Sequence, residues 1–271
     1  MMKRFYLIWT TLLLLLFVAC KELGNDKKKS EKVSFGRTFI DSVIEEDTIK
    51  ISDSVLLRYS SKLLWFPDLK DTNFLKEIYP GKQITDFSRN GLQDYLKQEK
   101  ENIYKRMKNS AGIREVKQQQ QWSYISLMNV RMNRNNYVSV QYYTSQSGAQ
   151  DKVSYYYEEK VFDFKNLKKL QLSDMITLSE ETVKGILKLN LGKTTIMQQI
   201  KTYDPETYAL ISAASFPVTR NFYFDDYNLY FHYNANEIIH DDDIGDLIIT
   251  VSWSDLSDYL KPEFARRMKI N

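Results

Sequence analysis

The chain has 271 residues, 43% of them hydrophobic and 27% charged, with a formal net charge of +3. That is enough material for one large domain or two small ones with a real apolar core, and too small a basic excess for a nucleic-acid-binding surface. A single cysteine, Cys20, excludes an intrachain disulfide and a metal site built on several thiolates.

The first stretch is a targeting signal by pattern. Lys3 and Arg4 precede an uncharged apolar run over 5–18, which at about 1.5 Å per residue is too short to cross a hydrocarbon core of about 30 Å. A charged start, a short apolar run and a small residue make a secretory signal. Leu16, Phe17, Val18, Ala19 and Cys20 resemble a bacterial lipobox, which implies cleavage before Cys20 and lipidation of its thiol. The competing reading is a membrane anchor with a chance cysteine. Lys21, rather than an aspartate, follows the cysteine, so an outer-membrane lipoprotein facing the periplasm or the surface is expected. Two or more acyl chains hold a protein stably on a bilayer. Residues 21–34 are polar and lysine-rich and are expected to form a flexible tether about 20 Å in end-to-end distance. The expected organisation is a signal over 1–19, a tether over 20–34, an N-terminal half over 35–165 and a C-terminal half over 166–271.

Beyond the tether, 54–67 reads as a strand ending at Pro67. Residues 91–107 read as a helix, with Leu92, Tyr95, Leu96, Ile103 and Met107 on one face at 3.6-residue spacing. Three strands follow, starting at Trp122, over 137–144 and over 153–164, joined by turns at Arg134-Asn135-Asn136 and at 145–149. Short connections between consecutive strands predict an antiparallel meander. Ser179 is a candidate N-cap with Glu180 and Glu181 in the first turn, where the helix dipole favours them. That helix is expected to turn Val183, Ile186, Leu187, Leu189 and Leu191 inward. A short helix starts at Pro205. The last part reads as a hairpin over 221–233 with a turn at Asp225-Asp226, a loop over 235–245 and a strand over 246–253. A final turn is expected to be capped by Ser254 and stopped by Pro262. The pattern is α+β: an antiparallel β-sheet with helices packed on one side.

Chemistry is sparse in the sequence. His232 and His240 match no metal-ligand or catalytic motif. In its strand His232 alternates away from Leu229, Phe231 and Tyr233, so it faces either solvent or an opposite layer. Asp241, Asp242 and Asp243 lie near Glu237 and Asp246 in an acidic cluster that could attract calcium, although the spacing fits no EF-hand and a solvated loop is the simpler reading. Gly192-Lys193-Thr194 lacks the earlier glycine of a phosphate loop, and no nucleophile elbow or dinucleotide fingerprint is present. No catalytic residue, metal or cofactor is expected.

Phe222-Tyr223-Phe224, Asp225-Asp226, Leu229-Tyr230-Phe231, Glu237-Ile238, Gly245 and the stretch over 248–260 resemble the extracytoplasmic domain of the RsiV-type lysozyme-sensing anti-sigma factors. The same domain accompanies PdaC-type peptidoglycan deacetylases. Phe162-Asp163-Phe164, Leu170 and Leu172-Ser173-Asp174-Met175-Ile176 resemble the segment before it. This chain departs from that pattern at Asn236, where a tyrosine is usual, and at His240-Asp241-Asp242-Asp243-Ile244, where the loop is usually apolar. The resemblance implies a non-catalytic, lipid-anchored envelope protein whose partners are the membrane, through Cys20, and a lysozyme-like protein or peptidoglycan. The irregular polar loop makes Glu237, His240, Asp241, Asp242 and Asp243 the expected binding residues. The alternatives are an envelope glycan hydrolase or deacetylase and a structural subunit of an envelope complex.

Overall fold

Two sheets organise the chain, and each follows from a run of alternating or β-branched sequence. The structure, a computed structural model, describes residues 36–112, 118–148, 153–214, 217–235, 237–238 and 245–270. The expected signal, tether and Cys20 lie outside them. Phe35–Asn271 form one compact unit.

The first sheet has six strands in sequence order: β1 (Asp41–Ser52), β2 (Val55–Trp65), β3 (Gln120–Arg134), β4 (Tyr137–Ser147), β5 (Ser154–Asp163) and β6 (Lys168–Lys169). All neighbours are antiparallel except β2 and β3, which run parallel from Val55↔Gln120 to Lys62↔Leu127. Parallel neighbours need a long crossover, and here it carries α1 (Thr72–Ile78) and α2 (Arg89–Gly112). The β3–β4 turn holds Asn135 and Asn136 at φ 54° and 60°, a conformation that Asn tolerates better than most residues.

One face of this sheet packs on α1 and α2. Leu63, Met128, Val138, Val140 and Phe162 meet Phe74, Ile78, Leu92 and Leu96. Farther along, Leu57, Tyr59 and Trp122 meet Ile103 and Met107. The inward stripe expected for α2 is therefore the observed one, with Tyr95 at its half-buried edge.

The second sheet has the order β7 (Phe222–Phe224), β8 (Asn228–Tyr233) and β9 (Leu247–Ser252), all antiparallel. Its inner face, including Phe224, Leu229, Phe231, Ile249 and Val251, packs with α3 (Glu180–Leu191), α4 (Thr195–Tyr203), α5 (Pro205–Ala213) and α6 (Pro262–Met268). Tyr137 and Val161 of the first sheet belong to the same core. The Tyr137 ring lies 5.7 Å from both Phe224 and Phe264. Ser179, Thr194 and Asp204 each cap a helix by accepting a backbone N–H three residues on.

The α+β class read from the sequence holds, and four local expectations change. β4 continues through Ser147, because Ser145 and Ser147 still pair across to β3. Leu189 points outward, 75% exposed, since Val183, Leu187 and Leu191 repeat every four residues and leave position 189 on the opposite side. Pro262 starts α6 rather than stopping a turn, as proline suits the first helical position, where its missing N–H costs nothing. Ser254 caps no helix; the short 3₁₀ turn Ser257–Tyr259 has no side-chain cap.

Candidate functional site

The face of the first sheet away from α2 carries a line of polar side chains where an apolar stripe would be expected. Lys62 Nζ donates to Asn129 Oδ1 at 2.6 Å, Asn129 Nδ2 to Gln141 Oε1 at 3.4 Å, and Gln141 Nε2 to Glu159 Oε1 at 2.8 Å. These residues stand on β2, β3, β4 and β5. Antiparallel register sets Asn129 opposite Gln141 and Gln141 opposite Glu159, so alternation alone puts them on one face.

The line continues into the second sheet. His232 of β8 is 1% exposed. Its Nδ1 lies 3.1 Å from Glu159 Oε1 and its Nε2 3.1 Å from Asp246 Oδ2, just before β9. Of the two placements open to it in the sequence, His232 therefore takes the opposite layer. Burial works against a charged ring, but hydrogen bonds to Asp246 and Glu159 and their negative charges outweigh it and raise the histidine pKa above its usual value. The same hydrogen bond to His232 holds Asp246 below the usual carboxylate range. Arg131 adds a second cation, 3.5 Å from Glu159 Oε1 and stacked over the Tyr223 ring at 5.2 Å.

Around this seam the backbone is clamped by two asparagines. Asn221 accepts from Glu159 N and donates to Tyr157 O at 3.0 Å. Asn234 accepts from Tyr157 N at 2.6 Å and donates to Tyr157 O at 2.9 Å. Tyr157 also lies against the His232 ring at 5.0 Å. With Tyr143 at 4.9 Å and Tyr155 at 5.9 Å it makes a half-exposed aromatic patch beside the seam.

Of the residues expected to bind ligand, only Glu237 is described. Its carboxylate accepts from Asn234 N at 3.0 Å and Asn234 Nδ2 at 3.3 Å, so it closes the turn that starts the loop. His240, Asp241, Asp242 and Asp243 lie outside the described residues, as does Cys20. Sequence reasoning passed over Glu159. The available signal was the charged run Glu158-Glu159-Lys160 in the middle of a strand, between Tyr155-Tyr156-Tyr157 and Val161-Phe162.

Chemically, the seam is a closed ion network. Both His232 nitrogens are engaged, so the ring has no nitrogen left to accept a proton from a substrate. Among the described residues no group of three or more His, Cys, Asp or Glu side chains is placed to share a metal ion, and no helix is long and apolar enough to cross a membrane.

No family profile matches the chain, and no curated protein does. Solved structures do. A DUF3298 family member from Bacteroides fragilis superposes with a TM-score of 0.61 at 15% identity, over 88% of this chain and 99% of that one. A DUF3298 family protein from Pseudomonas aeruginosa superposes with a TM-score of 0.55 at 14% identity, over 84% of this chain and 96% of that one. The fold is therefore that of these DUF3298 proteins, and the likeness extends over nearly their whole length.

Proposed function

We propose that the chain is a lipid-anchored cell-envelope protein that captures a ligand outside the cytoplasm without chemically changing it. Cys20 is the lipid site, and the outer membrane is its place of attachment. The observation that carries the capture reading is the half-exposed patch of Tyr143, Tyr155 and Tyr157 on a seam already locked by hydrogen bonds. Tyrosines held on a rigid sheet give large contact area at small entropy cost. Gly245, the first described residue after the acidic segment bearing His240 and Asp241 to Asp243, stands beside this patch: a Cβ there would lie 3.4 Å from the Tyr155 hydroxyl. The RsiV-type resemblance supplies the candidate ligands, a lysozyme-like protein or peptidoglycan.

The test is capture of hen lysozyme and of purified sacculi by the full chain, with mass detection of any released glycan. Tyr155→Ala combined with Asp241→Ser, Asp242→Ser and Asp243→Ser is expected to weaken capture about tenfold or more with an unchanged melting temperature. Undiminished capture, or release of cleaved or deacetylated product, would overturn the reading. Lipid labelling of the chain, lost in Cys20→Ala, tests the anchor.

A further inference from the structure

Edge strands present unpaired backbone groups, and proteins protect them with charges, bulges or short length. This molecule does so at three of its four sheet edges. β1 carries Glu45, Glu46 and Asp47 and a register shift between Lys50 and Ser52. β6 has two residues and β7 three. β9 has none of these devices: Leu247–Ser252 reads LIITVS, with no charge, no proline and no register shift.

The hydrogen-bond parity of β9 follows from its neighbours. His232 N donates to Asn221 O at 2.8 Å, and Asp225 N donates to Asn228 O at 3.0 Å. Even-numbered residues of β8 therefore bond to β7, and odd-numbered ones to β9. Trp253 N donating to Tyr227 O at 2.9 Å fits the same parity. Ile248 and Thr250 thus turn their N–H and C=O groups away from the sheet, and among the described residues no hydrogen bond reaches them. Their side chains line a groove of about 660 Å³ between β9 and the α3–α4 turn, floored by Tyr223 and Tyr230. Asp246 stands at one end of the groove and the exposed Asp255 at the other, while the one lysine in its lining, Lys193 on the helix side, donates to Asn190 Oδ1 at 3.0 Å.

We infer that β9 is a docking strand, and that its occupant is an extended segment of a partner polypeptide with a Lys or Arg at each end. The outward backbone groups repeat every two residues, about 6.8 Å at strand rise, a spacing that another β-strand backbone meets. Strand addition takes its affinity from those main-chain bonds and its selectivity from alternate side chains. The carboxylates at the two ends select for cations, and Asp246 is held by the His232 ring behind it. This deepens the capture reading by making the ligand a polypeptide, and it rests on that reading only for its biological setting.

The experiment titrates the full chain in detergent with a labelled probe of alternating Thr and Val carrying a Lys at each end. A second probe is N-methylated at alternate amides. The methylated probe is expected to bind about tenfold more weakly or worse, each lost hydrogen bond being worth roughly a factor of five to ten. Thr250→Pro should weaken the unmodified probe similarly without lowering the melting temperature, since the Thr250 N–H is outside the β8–β9 ladder. Thr250→Lys serves as the second edge-blocking variant. Asp255→Asn should weaken binding about threefold and flatten its salt dependence. Equal binding of both probes, or self-association of the chain that Thr250→Pro abolishes, would overturn the inference, as would saturation of the groove by a chitin oligosaccharide. If the probe fails while lysozyme or sacculi are still captured, the docking strand is wrong and the capture reading stands. If both fail while the probe binds, the capture reading falls and the docking strand stands.

Discussion

Two carboxylates sit against the first sheet, one on each face, and they are treated differently. Glu99 of α2 is satisfied at both oxygens. Tyr59 and Ser61 donate to Oε2 at 3.0 Å each, while Lys82 at 3.2 Å and Tyr95 at 3.4 Å donate to Oε1. Glu159 of β5 receives all its donors, Gln141, His232 and Arg131, on Oε1. Its Oε2 is buried without a partner, as is the Ser139 hydroxyl one strand away. The helix-covered face is thus a finished core, in which a polar group is admitted only with full compensation. The other face joins two sheets through charges that balance in sum but leave individual atoms unmatched. The contrast predicts a larger stability loss from removing the carboxylate on the first face and a larger response to pH on the second.

The largest effect that tests this contrast is Glu99→Ala. It leaves the buried Ser61 hydroxyl and the mostly covered Lys82 without their acceptor, and the Tyr59 hydroxyl with only its longer 3.3 Å bond to Leu96 O, and chemical denaturation should show a loss of about 3 kcal/mol. His232→Ala comes next, at about 2 kcal/mol, because Glu159 keeps its burial and loses its imidazolium. The wild-type pH dependence follows from the raised histidine pKa. Protonation stabilises the fold fully below the unfolded value near 6.5, and this contribution is lost as pH rises through the higher folded value. Melting temperature should therefore be higher at pH 6 than at pH 9, and His232→Gln should flatten that slope. An equal slope in the variant would remove the seam as its source.

A smaller loss is expected where α6 is fastened to the first sheet: Arg267 grips Asp163 with two hydrogen bonds of 2.7 and 3.0 Å and stacks on Tyr137 at 3.9 Å. Arg267→Lys keeps the charge and loses the fork, at about 1 kcal/mol. Smallest of all is Ser139→Ala, which removes a buried hydroxyl that has no partner. Its stability should stay within about 0.5 kcal/mol of wild type, or rise. A loss above about 1.5 kcal/mol would instead mean that the hydroxyl is satisfied in solution, for instance by a bound water.

Much of this architecture was readable before any coordinates, and where it was not the cause is physical. Strands β2 to β5, α2, α3 and β8 announce themselves through alternation, 3.6-residue spacing or a capping serine. β1 was missed because DSVIEEDTIKIS spends its polar positions on guarding an edge, which hides the apolar period. α1 and α4 are short, at seven and nine residues, and hold their place through caps and tertiary packing rather than through a long pattern. The candidate site was less legible than the fold. His232 could be placed on the correct side of its strand, but no local signal says what lies across from a side chain. Glu159 acquires its meaning from β4, β8 and the residue before β9 together, and that convergence exists only in three dimensions.

The parallel pairing of β2 with β3 has a consequence for time as well as shape. The β1–β2 hairpin and the β3–β4–β5 meander need only short loops to close, so each can form within its own stretch of chain. Joining them requires residues as distant as Val55 and Gln120 to meet, after the intervening helices have a surface to settle on. Long closures slow folding because chain entropy is lost before contacts reward it. The crossover is thus the expected rate-limiting event, and two half-formed sheets with open edges precede it. That interval is when a chaperone would have most to hold.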